Sequence, residues 1–510
     1  MRRCVLFLGI LALFSLPLPG LPVAVEAPAG LKSAWERLLF SHPFPPGLDA
    51  APVGAAGSVG SVILRDRVLT GFRIVDESIL VPVMRLWDAP LTLTRAQAES
   101  RSVRLLTLDS VALPDIALPV DGLYPGDPGY PLMRRVAVGI QGDDPVLRQW
   151  FETLPDRLPR GPPERIRWIG AVGDIMPDRG VDAALLAPAG AERVFGDTLP
   201  LLRSLDLLVG NLEAAATTGG VRAVKKYTFR FHPRALGSLA AAGFSYLSAA
   251  NNHTFDYGME GFIDTLASLG QAGIATSGAG RTAEEASRPA VMRIGDLEVR
   301  LLSFAAYPVD RTGFDGRSMA RATADRPGAL WLDDEGIAAA ARGFSTDAFN
   351  VALVHGGIEW SSAPTEEQRR RYRDLIRAGA DLVIGSHPHV LQGLEAVDGR
   401  LIAYSLGNFL FPGMEGTQGG ERSAILEVGT YGRRIVSLRV VPVRLDGGTV
   451  RLELQKDSLR ELRSQSRDLN ASPKADSASP KADSASPKAD SASPKADSAS
   501  PKADSVPGKE

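Results

Sequence analysis

Cysteine is almost absent: there is one, Cys4, in a chain of 510 residues. That count excludes a disulfide framework and any Cys-rich zinc or iron–sulfur centre. Neither sign of charge prevails, with 57 Lys+Arg against 59 Asp+Glu and a net charge of -2. No general basic field is available to hold nucleic acid, and no nucleic-acid partner is expected. Aromatic residues make up 6% of the chain, and there are 6 histidines. Beyond the N-terminus no apolar run is long enough to span a bilayer. What is present is a globular composition, 44% hydrophobic and 23% charged, at a length sufficient for two or three cored domains. Chemistry must therefore come from histidine, carboxylates and backbone.

The two ends differ from the rest. Arg2 and Arg3 precede an apolar run from Val5 to Leu16, and Val25-Glu26-Ala27 offers small residues at a cleavage spacing. Residues 1–27 read as a secretory signal peptide, with an uncleaved anchor as the other reading. Pro17, Pro19 and Pro22 interrupt a spanning helix and favour cleavage. Either way the protein is expected to be extracytoplasmic: periplasmic, secreted or held to the membrane by this segment. At the other end a seven-residue unit, Ala471-Ser-Pro-Lys-Ala-Asp-Ser477, recurs to Ser505. Each unit carries proline and no large apolar residue, so it can form neither a helical seam nor a core, and a disordered tail is expected over 471–505.

Two folded segments are expected between the ends. Residues 31–160 contain short apolar runs such as Ser78-Ile-Leu-Val-Pro-Val83, a strand-like Arg135-Val-Ala-Val-Gly-Ile140 and an amphipathic stretch from Leu147 to Leu154. This layout resembles part of an extracytoplasmic solute-binding protein and implies a small α/β accessory domain. His42 reads as a loop residue. Leu158-Pro-Arg-Gly-Pro-Pro163 is a linker by its turn chemistry. Over 165–455 short apolar runs alternate with helical spacing, for example Arg234 to Ala242, Gly261 to Ala272 and Thr365 to Ala378. That alternation is the mark of an α/β fold, with strand patterns returning from Ile435 to Leu454.

The polar residues fall at the ends of the apolar runs. Ile169-Gly-Ala-Val-Gly-Asp174 ends in a carboxylate, and Leu207-Leu-Val-Gly-Asn211-Leu-Glu213 in an amide and a carboxylate. Asn251, Asn252 and His253 follow Ser248-Ala-Ala, with Asp256 beyond them. Val351-Ala-Leu-Val-His355 and Leu382-Val-Ile-Gly-Ser-His387-Pro-His389 end in histidines, and Tyr404-Ser-Leu-Gly-Asn408 in an amide. Strand ends of an α/β sheet face one edge, where ligands bind. Four of the 6 histidines lie at such ends, a concentration that packing does not explain. Oxygen and imidazole donors without thiolate suit Mn, Zn, Fe or Mg. Pro388 stiffens the turn between His387 and His389, so both imidazoles can approach one centre. His232, before a helix, reads as structural.

In order along the chain, Gly173-Asp174-Ile-Met176-Pro-Asp-Arg179, Asn211-Leu-Glu213, Asn251-Asn-His253-Thr-Phe-Asp256-Tyr-Gly258, His355-Gly-Gly-Ile-Glu359-Trp, Ser386-His-Pro-His389-Val-Leu-Gln392 and Tyr404-Ser-Leu-Gly-Asn408-Phe resemble the CapA family of capsule or poly-γ-glutamate biosynthesis proteins. The resemblance covers Arg165 to Val443. It implies kinship with calcineurin-like metallophosphoesterases and hence a metallophosphatase-like β-sandwich flanked by helices. It also implies metal ligation by Asp174, Asn252, His355, His387 and His389, with His253 as the proton donor to a leaving group.

Two positions depart from the phosphoesterase pattern. Met176 stands in place of a ligand histidine, and Asn211 in place of a bridging carboxylate, with Glu213 close enough to supply that charge. One metal, or a second held weakly, is the expectation, with Asn211 and Glu213 among the ligands. Arg179 suits a carboxylate or phosphate on the substrate, and Lys225, Lys226 and Arg230 lie in a nearby basic run. Gly356 replaces a tryptophan of the CapA pattern, with Trp360 near. The expected function is capsule or poly-γ-glutamate biosynthesis or export with a metal-dependent hydrolase-type site. The expected partners are an anionic polymer or small anionic substrate and membrane-bound polymer-synthesis machinery. A secreted metallophosphoesterase on a small phosphoester and a non-catalytic polymer-binding protein are the alternatives.

Overall fold

In a computed structural model of the chain, the described residues are 21–26, 38–39, 42–45, 48–52, 60–65, 73–85, 93–100, 103–125, 127, 129–154, 166–309, 315–417 and 419–471. The apolar run Val5 to Leu16, the linker Leu158 to Pro163 and the repeats after Ala471 lie outside them. Among the described residues no helix is long and apolar enough to cross a membrane.

The first segment is mainly sheet. Its strands are β1 Leu21–Glu26, β2 Leu48–Pro52, β3 Gly60–Arg65, β4 Arg73–Arg85, β5 Arg104–Thr107, β6 Asp115–Ala117 and β7 Met133–Gln141. They are ordered β2-β1-β3-β7-β4-β5, with β6 beside β4. The expected strand at Arg135–Ile140 is β7, and the expected helix is α1, Pro145–Thr153. Asp144 caps α1 by accepting from the Leu147 N–H at 2.8 Å, and Pro145 sits where a missing N–H costs nothing. Leu147 and Trp150 then pack on Val23, Val62 and Val138.

One expected boundary falls at the end of a strand. The signal segment expected over 1–27, and not the domain expected from 31, takes in β1, which pairs in parallel with both β2 and β3. Leu-Pro-Val-Ala-Val-Glu places β-branched valines at alternate positions, and Val23 is fully buried. Cleavage after Ala27 would remove this strand from between β2 and β3.

The larger part continues with β8 Arg167–Ile175, β9 Leu207–Leu212, β10 Ala215–Ala216, β11 Arg230–Phe231, β12 Phe244–Ser248, β13 Ala279–Gly280, β14 Ala290–Ile294, β15 Leu297–Ala306 and β16 Gly328–Ala329. It ends with β17 Phe349–Gly356, β18 Leu382–Ser386, β19 Leu391–Val397, β20 Arg400–Leu406, β21 Asn408–Leu410, β22 Arg422–Tyr431, β23 Arg434–Asp446 and β24 Thr449–Leu452. One sheet runs β12-β9-β8-β22-β23-β24 with β21 beside β8; the other runs β14-β15-β17-β18-β20-β19. Its longer helices are α2 Gly258–Gln271, α3 Asp334–Gly343, α4 Glu366–Arg377 and α5 Asp457–Ala471.

Strand alternation divides each sheet between two cores. Ile169, Ala171, Val209 and Leu426 share a cluster with Leu301, Leu353, Ile384 and Ala403 of the other sheet, so the sheets pack face to face. On the opposite faces, Val172, Leu208 and Leu247 meet Phe262 and Leu269 of α2. Leu302, Val354 and Val383 meet Ala340 of α3 and Leu375 of α4. The result is a sheet sandwich with helices outside, mixed α/β as expected.

Helix α5 extends the domain beyond the expected end at 455. It covers the open edge strand β19: Ser466 Oγ accepts from the Leu394 N–H at 2.9 Å, and Asn470 bonds Leu394 O at 2.9 Å and the Ala396 N–H at 3.1 Å. Exposed strand edges invite unwanted pairing, and side-chain amides and hydroxyls close this one.

The first segment is not a separate bead. Ile116, Leu118 and Val120 belong to the same buried cluster as Ile435 and Leu438, and Ser437 donates to Ala117 O at 2.9 Å. At this seam the Arg439 guanidinium lies over Tyr124 and Trp168, at 5.6 and 5.8 Å, and pairs with the buried Glu427. Burial pushes Glu427 up to about 7 from an ordinary 4.5, outweighing the guanidinium. A carboxyl raised on folding holds its contribution below its unfolded value and loses it as pH rises through the folded one. The parent should thus lose on the order of 2–3 kcal/mol between about pH 4.5 and 7 through this group. Thermal melts from pH 5 to 8 should show a steeper fall for the parent than for Glu427→Gln; parallel curves would refute the assignment.

Candidate metal centre

Asp174 is the penultimate residue of β8, where Gly173 brings two backbones together: a Cβ there would overlap the Gly407 carbonyl oxygen. The Asp174 N–H donates to that oxygen at 3.0 Å, fixing the carboxylate beneath the sheet edge. In the parallel register Asn211 of β9 lies opposite Asp174, and Ser386 of β18 opposite His355 of β17. Side chains far apart in sequence are thereby gathered at one end of both sheets.

Asp174 Oδ1 accepts from Asn211 Nδ2 at 2.8 Å, and Oδ2 accepts from the His387 N–H at 3.1 Å. His355 Nδ1 lies 3.7 Å from Asp174 Oδ1, and His389 Nδ1 lies 3.5 Å from Oδ2. Glu213 Oε1 faces three imidazoles: His355 Nε2 at 3.6 Å, His389 Nε2 at 3.8 Å and His253 Nε2 at 3.9 Å. Two sets of ligand-type atoms result, Asp174–Glu213–His355 and Glu213–His387–His389, each with its donor atoms within 4.8 Å of one another. Glu213 belongs to both.

The His-Pro-His turn is strained. His387 has φ 95° and His389 φ 60°, left-handed values that non-glycine residues avoid and that concentrate at functional sites. His389 Nδ1–H donates to Asn408 Oδ1 at 2.9 Å, and Asn408 Nδ2 holds the His389 carbonyl at 3.1 Å. That pairing fixes the ring and leaves Nε2 directed at Glu213, the usual arrangement for a ligand imidazole.

Several polar atoms here lack partners. Both oxygens of Glu213 and Nδ1 of His387 are buried without a hydrogen bond. An isolated buried carboxylate is costly, and a divalent cation is the compensation its neighbours are equipped to share. Burial, with Asp174 and Glu359 adding negative charge, drives Glu213 well above the ordinary carboxyl range. Burial also lowers His355, His387 and His253, keeping these imidazoles neutral as ligands require. For His389 the adjacent Asp174 outweighs burial and raises it. The donor set thus fits a hard or borderline divalent ion.

Two expected residues, Asn211 and Arg179, are placed differently from the rest. Asn211 has its oxygen engaged by Asn251 Nδ2 at 3.1 Å, and its own Nδ2 lies 3.0 Å from His355 Nδ1. Its amide nitrogen bridges Asp174 and His355, and its oxygen is turned to Asn251. Asn252 reaches it through Oδ1, 2.9 Å from His355 Nε2. Arg179 stands outside the cluster: its guanidinium lies over Phe229 at 5.1 Å and donates to Pro412 O at 2.7 Å, and Phe229 in turn packs on His253 at 4.3 Å. Met176 turns into the apolar core, its sulfur accepting from the Asp178 N–H at 3.3 Å.

His253 Nδ1 lies 2.6 Å from Asp256 Oδ2, so Nδ1–H donates there and Nε2 faces Glu213 with a lone pair. Burial holds this histidine down at about 4. A neutral His253 has a lone pair on Nε2 able to take up a proton. Lys225 is no surface cation. Its side chain is only 7% exposed, pairs with Asp256 and donates to the Asn252 carbonyl at 2.7 Å. Tyr307, unmarked by any polar cluster in sequence, has its ring 6.2 Å from His355 and 6.4 Å from His387.

The fold and site define a class: a two-sheet α/β protein whose strand ends gather a buried histidine–carboxylate cluster suited to metal. Comparison with known proteins narrows this. Residues 168–413 match the family described as "Bacterial capsule synthesis protein PGA_cap". The "PGA biosynthesis protein CapA" of Bacillus subtilis (strain 168) is 30% identical over 294 residues, 57% of this chain and 74% of that protein. The "Capsule biosynthesis protein CapA" of Bacillus anthracis is 29% identical over 287 residues, 54% of this chain and 67% of that one. The chain belongs to this capsule-synthesis family. Among solved structures, a Mycoplasma pneumoniae phosphatase aligns over 58% of this chain and 97% of its own at 11% identity and a TM-score of 0.37, too loose a likeness to bear on the site.

Proposed function

We propose that this chain acts outside the cytoplasm in making or exporting an anionic polymer, capsule or poly-γ-glutamate, beside membrane-bound synthesis machinery, and that it does so as a metal-dependent hydrolase. Membership of the capsule-synthesis family supports the first half. The second rests on one observation: the buried carboxylate of Glu213, without a hydrogen bond, is shared by two sets of ligand atoms. Asp174, Glu213, His355, His387 and His389 would hold one or two divalent ions, Mn, Zn, Fe or Mg. Such an ion supplies positive charge that polarises a substrate oxygen and makes water more acidic.

The chain's own residues do the rest. His253 Nε2 takes a proton from the attacking water, while Asp256 holds Nδ1–H and stabilises the imidazolium that forms. Lys225 locks Asp256 in place. Arg179, supported by Phe229, meets a carboxylate or phosphate of the substrate. Metal analysis of purified protein beside Asp174→Ala and His387→Ala tests the assignment, with hydrolysis of a generic phosphodiester measured in parallel. Both variants should lose metal and turnover. Stoichiometric metal retained in both would remove these residues from contact with the ion.

A further inference from the structure

The loop between β10 and β11 has a surface that the site does not explain. In Val221-Arg-Ala-Val-Lys-Lys-Tyr227, Val224 is 100% exposed, Val221 82% and Tyr227 54%. Val224 is the most exposed large hydrophobic residue among those described. Arg222 and Lys226, both exposed, alternate with these side chains, and the Lys226 ammonium lies 4.9 Å over the Tyr227 ring. The exposure does not come from fraying. The Ala223 N–H donates to Asp256 O at 2.8 Å, Arg222 Nε to Thr228 Oγ1 at 2.6 Å, and the Phe229 N–H to Asp256 Oδ2 at 2.6 Å. Lys225 alone turns inward, onto Asn252 O and Asp256. Across the small cavity that Ala223 and Lys225 line with Asn252 and Tyr307, Met319 adds a further side chain, 48% exposed.

We propose that this loop docks the protein onto an anionic lipid surface, with Val221, Val224 and Tyr227 entering the headgroup region and Arg222 and Lys226 meeting lipid phosphates. An interfacial element needs an apolar side, a basic side and an aromatic ring at the boundary. A soluble polyanion would engage the cations and leave the valines in water. A protein interface core is depleted in lysine, whereas here lysine and arginine alternate with the apolar residues. Fastened by Lys225 to the carbonyl of Asn252, the docked loop holds the histidine–carboxylate cluster close to the lipid surface. The proposal does not depend on the hydrolase reading.

The test uses the full chain carrying Cys4→Ser and Val224→Cys, labelled at residue 224 with an environment-sensitive fluorophore. The label reports on the loop itself, whatever the N-terminal apolar run does. Vesicles of phosphatidylglycerol and phosphatidylcholine should give a blue shift and protection from aqueous acrylamide, and pure phosphatidylcholine much less. Adding Arg222→Gln and Lys226→Gln should raise the lipid concentration at half-effect on the order of tenfold or more. An unchanged spectrum with anionic vesicles overturns the proposal, as does an equal shift with neutral ones. A comparable shift with soluble poly-γ-glutamate and no vesicles overturns it in favour of a polymer subsite.

Discussion

Glu213→Gln is expected to empty both ligand sets at once, and to change the metal-free protein in the opposite direction from the metal-loaded one. Glutamine keeps the shape of the side chain but offers one neutral oxygen where Glu213 offers two charged ones to His355, His387 and His389. Loss of metal affinity should exceed the roughly 10–100-fold characteristic of residues that merely orient a ligand. Asn408→Ala, which frees the His389 ring without removing a donor, provides that comparison. Stability separates a metal role from a structural one. Without metal the parent buries an unpartnered carboxylate, so metal-free Glu213→Gln should melt higher than the metal-free parent. With metal added the order should reverse, since binding stabilises only a protein that can hold the ion. Equal melting points in both states, with equal metal content, would show that Glu213 holds no metal.

The clustered histidines and carboxylates were legible in sequence because each stands at the end of a short apolar run. In parallel sheets such ends share one edge, and Asp174, His355, His387 and His389 meet there. The direction each side chain takes was less legible. Asn211 reads as a ligand by its place in the motif, yet Asn251, forty positions away, claims its oxygen. Lys225 sits in a basic run and reads as solvated; its burial depends on Asp256 being folded against it. Tyr307 follows an apolar strand with no polar cluster, and it approaches the histidines only because β15 and β17 pair in parallel. The sandwich itself was read from the family resemblance, whereas β22, central to its sheet between β8 and β23, escaped periodicity altogether. It is buried almost throughout, so polar and apolar positions do not alternate in the usual way. The seam with the first segment was invisible for a related reason. It depends on Ser437, Arg439 and Trp168 finding partners more than 40 residues away, and no local pattern encodes such pairings.

His253→Ala should lower turnover by about 10²–10⁴-fold while leaving metal content unchanged, the signature of a proton-transfer group outside the ligand set. Asp256→Asn provides the sharper test. Asp256 Oδ2 accepts Nδ1–H at 2.6 Å, which leaves Nε2 as the acceptor facing Glu213. An asparagine there can turn its NH2 toward Nδ1, favouring the tautomer with the proton on Nε2 and removing the acceptor from the reacting side. Turnover should then fall nearly as far as in His253→Ala, although the histidine is still present. Lys225 would lose its charged partner as well, so the variant should also be less stable. Lys225→Met controls for that effect by removing the ion pair while Asp256 still accepts from Nδ1–H, although Lys225 Nζ also lies 3.3 Å from His253 Nδ1. If it is destabilised to a similar extent but keeps most of its turnover, the loss in Asp256→Asn belongs to the tautomer. If Lys225→Met and Asp256→Asn lose turnover equally, Asp256 acts only as a structural ion-pair partner and His253 is not oriented through it.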